Sequence, residues 1–398
     1  MKPRVAIVVQ RWAPDMAGGS EALAWQYAEL LADAFEVELL TSTARDYVSW
    51  AGVFPEGAQA SGRVVVRRFA PAFTRGAYFF ALHARALGDW RPHEPASERA
   101  RTVWTSALQE ELIKFQGPWC PGLLDHLEAH ADAYAAIVLT TYLYPTSYFA
   151  ARRLPRHKLL LAPTLHDEAM AYLPAFARYR ERIGRFLWLT DAERALAGRL
   201  WGVDAGEVVG MAIDAKTAAP AESDGPYLLY CGRLDAQKGT DRLLDAFASY
   251  RALHPERRLK LVLTGSDALG LRATPGVEFL GFVDEARKLA LMAGAAAFVQ
   301  PSRYESFSIV TLEAMAQGTP ILVNAECEVL AEHARRSGAG FAFRGEDELH
   351  RAIDAVLALD ADARAELGRR GRDYVHTRYG RERVRDALVA EVRAVAGA

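Results

Sequence analysis

Two cations stand close together in Gly232-Arg233-Leu-Asp-Ala-Gln-Lys238-Gly239-Thr240, between an apolar run and a helix-forming run. A guanidinium and an ammonium converging on one ligand suit a diphosphate leaving group, whose charge grows as its bond to a sugar breaks. The order is wrong for a P-loop, which ends in Gly-Lys-[Ser/Thr], because here Lys238 precedes Gly239. The alternative is a solvated turn with two surface charges. Two carboxylates follow, Glu305 in Pro301-Ser-Arg-Tyr-Glu-Ser-Phe-Ser308 and Glu313 in Ile309-Val-Thr-Leu-Glu-Ala-Met-Ala-Gln-Gly318. Ser308 is the expected N-cap of a helix, so the amides of Phe307, Ser308 and Ile309 would face a phosphate or sugar oxygen. Glu305 can take sugar hydroxyls or be an exposed loop acid. Glu313, among Val310, Leu312, Ala314 and Met315, can accept two ribose hydroxyls and needs a partner if buried.

Two further groups lie earlier in the chain. Gly18-Gly19 before Ser20-Glu21 lets backbone approach a ligand at a helix start, or is a plain strand-to-helix turn. It is not G-x-G-x-x-G, and the strand ending Thr41-Ser42-Thr43 offers no acid for a ribose, which argues against a nicotinamide dinucleotide. His166, in His166-Asp167-Glu168, can hydrogen-bond a sugar or be a structural histidine. His126 and His130 are one helical turn apart, but the order is not H-E-x-x-H and no third metal ligand is evident. Asp360 and Asp362 precede a helical run and read as N-cap chemistry.

These residues need strands that end beside one another. Val5–Val9, Val37–Thr41, Val64–Phe69, Ala135–Thr141, Leu159–Pro163, Phe186–Thr190 and Glu207–Met211 are strand candidates, with helical runs such as Ser20–Ala34 between most of them. Residues 71–133 carry no pattern that can be read closely. The small, polar, proline-containing stretch 214–226 is the best linker. The alternation then restarts, with strands at Tyr227–Cys231, Leu259–Thr264, Val277–Leu280, Ala297–Gln300, Pro320–Val323 and Gly340–Phe343. Helices are expected at Arg242–Ala252, Glu285–Ala293, Ile309–Gln317, Glu346–Leu359, Ala361–Tyr374 and Arg381–Val395. The expectation is an α/β chain of two open doubly wound domains with a cleft between them and ligands at the carboxyl ends of the strands.

In this company the residues resemble glycosyltransferase family 4 of the group 1 enzymes, which are retaining and of GT-B fold, with two Rossmann-like domains facing each other across a cleft. The resemblance rests on Gly232-Arg233 with Lys238-Gly239, on E-x7-E at Glu305 and Glu313, and on Glu313-Ala-Met-Ala-Gln-Gly318-Thr-Pro320. Gly18-Gly19, His166 and the Gly281-Phe282-Val283 turn match in order and context. It implies an acceptor-binding domain at 1–213, a donor domain at 227–380, and a helix at 381–398 packing back on the first domain. It implies that Arg233 and Lys238 hold a donor diphosphate, Glu305 the sugar near its reacting carbon, and Glu313 the ribose. His166 would touch the sugar, the Gly18-Gly19 backbone would border phosphate and acceptor, and Gly232, Gly265, Phe282, Phe307 and Ser308 would line the donor. The resemblance further implies no cofactor and no metal, the nucleotide-sugar being a substrate. Gln237 stands where the family often has an acid, which leaves the pairing inside that loop open. Rival readings on the same architecture are a sugar-nucleotide epimerase and a disaccharide synthase or phosphorylase.

Composition narrows the partners. With 48 Lys+Arg against 50 Asp+Glu, the formal net charge of −2 provides no basic field for nucleic acid. Cys120, Cys231 and Cys327 are sparse and odd in number, as in a reducing cytoplasm. No apolar run reaches the length of a membrane span. The expected partners are therefore a nucleotide-sugar and a glycan or lipid-linked acceptor. The clusters Arg152, Arg153, Arg156 and Lys158, and Arg178, Arg180, Arg182 and Arg185, form a solvated face or a contact with an anionic membrane surface or a lipid-diphosphate acceptor, peripheral at the inner membrane face.

Overall fold

The computed structural model describes residues 2–16, 18–214, 216–271 and 274–397. Ala17 of the Gly18-Gly19 loop and Ala215 of the expected linker lie outside the described residues. The chain forms two compact units, Met1–Met211 with Val384–Ala398, and Ala212–Arg383.

The first unit holds β1 (Arg4–Val8), β2 (Glu36–Ser42), β3 (Gly57–Ser61), β4 (Val64–Phe69), β5 (Ala136–Thr140), β6 (Leu159–Ala162), β7 (Arg185–Trp188) and β8 (Glu207–Val208). Their order across the sheet is β3-β4-β2-β1-β5-β6-β7-β8, parallel except where β3 returns antiparallel on β4. Continuous apolar runs make β5 and β6 buried along their whole length, as expected for strands covered on both faces. Helix α1 (Gly19–Leu31) links β1 to β2. Between β4 and β5 come α2 (Ala77–Asp89), α3 (Glu98–Val103), α4 (Ser106–Gln116) and α5 (Pro121–Ala129). Then follow α6 (Pro145–Arg153), α7 (Pro174–Ala177), α8 (Tyr179–Arg182) and α9 (Asp191–Trp201).

The second unit repeats the plan with β9 (Tyr227–Cys231), β10 (Lys260–Thr264), β11 (Val277–Phe279), β12 (Ala297–Gln300), β13 (Ile321–Asn324) and β14 (Gly340–Phe343). All are parallel, in the order β11-β10-β9-β12-β13-β14. Its helices are α10 (Thr240–Leu253), α11 (Glu285–Gly294), α12 (Ile309–Ala316), α13 (Glu328–Ser337), α14 (Gly345–Leu357) and α15 (Ala361–Tyr379). The last helix, α16 (Arg381–Ala396), belongs to the first unit from Val384 onward, where Arg185 pairs with Glu391 at 2.8 Å. Val384, Leu388 and Val392 form its buried stripe.

The strand order reverses between β9 and β12 in the second unit and between β1 and β5 in the first. In folds of this kind crossovers leave toward opposite faces at such a reversal, and ligands bind beside the carboxyl ends of the strands there. The residues expected to do chemistry in the second unit leave from those two strands. Arg233 and Lys238 follow β9, and Glu305 follows β12.

The stretch 216–226 is tied into the second unit: the Gln317 amide accepts from Ala218 N at 2.7 Å and donates to Lys216 O at 2.9 Å, and Ala221 N donates to Ala290 O at 2.9 Å. The helix α13 and the edge strand β3 were not read from the sequence. Finally, Ser308 occupies the N-cap position in a left-handed conformation (φ 62), and its hydroxyl meets Thr311 Oγ1 at 2.9 Å instead of capping an amide. A left-handed N-cap cannot point its side chain back along the helix in the usual way.

The close stacking of the β9, β10 and β11 exit loops fixes one position sharply. Gly265 has φ 126, its amide donates to Gly281 O at 2.8 Å, and a Cβ there would lie 1.9 Å from Gly232 O. Gly265→Ala is therefore expected to cost about 3 kcal/mol in urea unfolding. Gly19→Ala, with nothing within 4 Å of its Cβ position, is expected to leave the midpoint nearly unchanged.

Candidate functional site

In the second unit three of the sequence-predicted residues, Arg233, Lys238 and Glu305, are joined in one chain of contacts. Asp235, which the sequence reading passed over, organises the loop after β9. Its carboxylate accepts from the Arg233 guanidinium and, at 2.7 Å, from the Lys238 amide. This supplies the pairing that Gln237 left open, since Gln237 itself stands 3.5 Å from Arg233. Lys238 Nζ donates to Glu305 Oε1 at 2.7 Å, joining the loop after β9 to the loop after β12. Glu305 is nearly covered, at 11% side-chain exposure, whereas Lys238 keeps 32%. The ammonium thus has room for a second acceptor. Gly239, at φ 72, brings the loop within reach of Pro301 O.

Glu313 is the buried carboxylate that needed a partner, and the partner is Lys288 on α11, 2.7 Å away. Lys288 also meets Glu285 at 2.9 Å. Burial pushes the Glu313 carboxyl above its usual range, against the pull of Lys288. Burial disfavours the Lys288 ammonium, but Glu313 and Glu285 outweigh it and hold its pKa above the ordinary value. Lys288 was missed because it sits on a neighbouring helix; its place one turn into α11, facing an acid on α12, was not visible in spacing.

The loop between β12 and α12 is fastened through its carbonyls. Asn324 Nδ2 donates to Pro301 O at 3.1 Å, Cys327 Sγ approaches Glu305 O at 4.0 Å, and His333 Nε2 lies 2.8 Å from Phe307 O. The Phe307 ring is buried against Tyr379, so only its backbone is available to a ligand. Phe282 is the opposite case, 81% exposed on the turn after β11. The amides of Gly232 and Gly265 are already used, by Thr264 O and Gly281 O, so these glycines allow close approach rather than donate.

In the first unit, His166 follows β6 with its Nδ1 3.7 Å from Glu168, which accepts from Tyr142 at 2.8 Å. Buried Glu193 grips the loop beside it, accepting from Leu165 N and Leu189 N at 2.6 Å each. Burial pushes this carboxyl up to about 7 despite those amides. At the start of α1, Glu21 folds under Gly18, where a Cβ would fall 2.1 Å from its Oε2. Glu21 accepts from Arg11 at 2.6 Å and Ser20 at 2.9 Å. The acid nearest the Gly18-Gly19 turn is therefore the protein's own.

The other groups raised by the sequence serve the fold. His126 and His130 stack at 4.2 Å, the former reaching Tyr134 and the latter a backbone carbonyl. Asp360 caps α15 through Ala363 N. Among the arginines and lysines of the first unit, Arg152 pairs with Glu110, Arg153 with Asp125, and Lys158 donates to two carbonyls. Among the described residues no helix is long and apolar enough to cross a membrane.

Residues 213–374 match the family described as Glycosyl transferases group 1. This segment is a member of that family. A curated relative, the D-inositol 3-phosphate glycosyltransferase 2 of Catenulispora acidiphila, is 32% identical over 210 residues, 45% of this chain and 49% of that protein. The chain spans about half the length, or less, of the curated relatives it matches. Solved structures match throughout. Sucrose-phosphate synthase from Thermosynechococcus elongatus has a TM-score of 0.71 at 20% identity, covering 98% of each chain. The Anabaena protein HepE in complex with UDP-glucose has a TM-score of 0.66 at 15% identity, covering 98% of this chain and 99% of that one. The fold is GT-B.

In this group 1 glycosyltransferase segment the Lys288–Glu313 pair makes a pH-dependent prediction. Lys288→Met leaves Glu313 buried without a countercharge and raises its pKa further. A carboxyl raised in the folded state loses stability as pH climbs from its unfolded value through its folded one. The variant is expected to lose about 2 kcal/mol relative to wild type at pH 8 and distinctly less at pH 5, read by urea unfolding at both pH values.

Proposed function

We propose that the protein is a retaining glycosyltransferase that moves a hexose from a UDP- or GDP-sugar to a glycan or lipid-linked acceptor. The observation that carries the reading is the Arg233–Asp235–Lys238–Glu305 chain at the strand-order reversal of a group 1 segment. Two cations held by carboxylates are fixed before the donor arrives, and each keeps N–H donors for phosphate oxygens. The HepE likeness supports a nucleotide-sugar as the donor class.

In the proposed reaction the bond from the sugar's anomeric carbon to the diphosphate oxygen breaks first. Arg233 and Lys238 stabilise the charge gathering on the diphosphate, and Glu305 holds the sugar hydroxyls through the oxygen not engaged by Lys238. Glu313 takes the ribose hydroxyls, and Phe282 offers an exposed ring to the base. The acceptor hydroxyl forms the new bond on the same face while its proton passes to the departing phosphate oxygen. The first unit is assigned the acceptor, bordered by the Gly18-Gly19 backbone, and His166 is assigned to the sugar. We assign no metal to the reaction, because two fixed cations supply the charge a divalent ion would. The setting we propose is the cytoplasmic face of cell-surface polysaccharide assembly, with peripheral membrane contact through the first unit.

A thermal-shift screen of UDP, GDP, ADP and their sugars is expected to raise the melting temperature with one base. For that nucleotide, Arg233→Ala and Lys238→Ala are each expected to weaken binding about 10- to 100-fold by calorimetry, the loss of a charge-assisted contact. Unchanged affinity in both variants would overturn the donor assignment. With the identified donor, EDTA is expected to leave turnover intact, and NMR of the product is expected to show the donor's anomeric configuration.

A further inference from the structure

His333 lies on α13, outside every motif in the sequence, and is completely buried. Its Nε2 is 2.8 Å from Phe307 O and its Nδ1 is 3.0 Å from the Tyr374 hydroxyl. A carbonyl only accepts, so Nε2 carries the hydrogen and Nδ1 accepts from Tyr374. Burial holds the imidazole pKa down to about 4, so the ring is neutral at working pH.

This bond fixes more than one atom. The only cis peptide among the described residues is Gly117–Pro118, so the Phe307–Ser308 peptide is trans. In a trans peptide the C=O and the following N–H point in opposite directions. Drawing the Phe307 carbonyl onto a buried imidazole therefore turns the Ser308 N–H toward the other side of the loop. Among the described residues that amide donates to no acceptor. Ser308 itself sits at φ 62, a left-handed conformation costing a non-glycine residue roughly 1–2 kcal/mol. Such strain persists only where the surroundings over-determine it. Here the His333 bond, the Ser308–Thr311 hydroxyl contact and the Phe307 ring edge-on to Tyr379 at 5.0 Å do so.

We propose that His333 is a positioning residue for the donor: by anchoring the Phe307 carbonyl it aims the Ser308 amide at a phosphate or sugar oxygen of the nucleotide-sugar. The inference rests on the donor reading above. His333 touches no substrate. It acts through one peptide plane, with Tyr374 keeping its tautomer.

The test uses the full chain, with UDP and GDP as probes in calorimetry. His333→Leu is expected to weaken the nucleotide that wild type binds by about tenfold, the worth of one hydrogen bond. His333→Gln, whose side-chain amide can still donate to the carbonyl, is expected to stay within about threefold of wild type. The decisive arm is a double-mutant cycle with Ser308→Gly, because glycine adopts φ 62 without strain. In the Ser308→Gly background the same His333→Leu change is expected to cost less than about threefold. Equal losses in both backgrounds, or unchanged affinity in His333→Leu with only a lower melting temperature, would make His333 an ordinary core residue. Where His333→Leu does not fold, Tyr374→Phe replaces it; a weakened Kd supports the proposal and an unchanged one overturns it. Wild type binding neither UDP nor GDP removes the donor reading itself, and that is seen before any variant is compared.

Discussion

The second unit depends on the ion pair between Lys238 and Glu305. These residues leave from β9 and β12, the two strands between which the sheet order reverses, and 2.7 Å separates their charged atoms. At such a reversal the crossover helices diverge and nothing in the backbone ladder ties the exit loops together. Side chains must do it. Asp235 extends the tie backward to Arg233, while the carbonyl anchors from Asn324, Cys327 and His333 extend it forward to Ser308. A half-covered pair of this kind contributes modestly to stability, because desolvation offsets much of its Coulomb attraction. Its effect is on geometry, which the loops alone would not specify.

The strands were legible because parallel strands covered on both faces are nearly continuous apolar runs, and β5, β6, β9 and β12 are, with only Thr140 and Gln300 as polar residues at carboxyl ends. The charged residues of the second unit were legible by type and spacing. What could not be read was pairing. Glu313 announced a need for a partner, but Lys288 lies on another helix, and no local pattern connects α11 to α12. Asp235 lay inside the motif and was overlooked beside its two basic neighbours. Helix α13 escaped notice because its inward face carries Glu332, His333 and Ser337 among Val329, Leu330 and Ala334, so the apolar period is interrupted by buried polar groups. The stretch 71–133 failed for the reverse reason. Helix α2 leaves Tyr78, Phe80 and Leu87 exposed, and its apolar residues do not report which face is inside.

Part of the backbone strain lies at the same exits. Thr141 and Thr164 take positive φ just past β5 and β6, as Ser308 does ahead of α12. Each is a non-glycine residue at the carboxyl end of a strand or on the loop that follows it, where the chain must leave the sheet and turn. In the first unit Glu193 holds the loop beyond Thr164 by accepting the Leu165 amide, and ties it to the end of β7 by accepting the Leu189 amide. In the second, His333 holds Ser308 by donating to a carbonyl. A buried side chain from a neighbouring element fixes a strained exit loop in both.

The charge arrangement bears on how the proposed donor would be met. Arg233, Lys238 and Lys288 are each matched by at least one carboxylate, from Asp235, Glu305, Glu313 and Glu285. The site is therefore not a bare positive surface that collects any anion. On the proposed reading, a diphosphate would meet the guanidinium and ammonium through their remaining hydrogens, while the carboxylates would repel it elsewhere. The same carboxylates could accept from hydroxyls, which a sugar and a ribose supply on either side of the phosphates. Acids set beside bases in this way would favour a nucleotide-sugar over inorganic phosphate, because only the former offers hydroxyls to Glu305 and Glu313 while its phosphates meet Arg233 and Lys238.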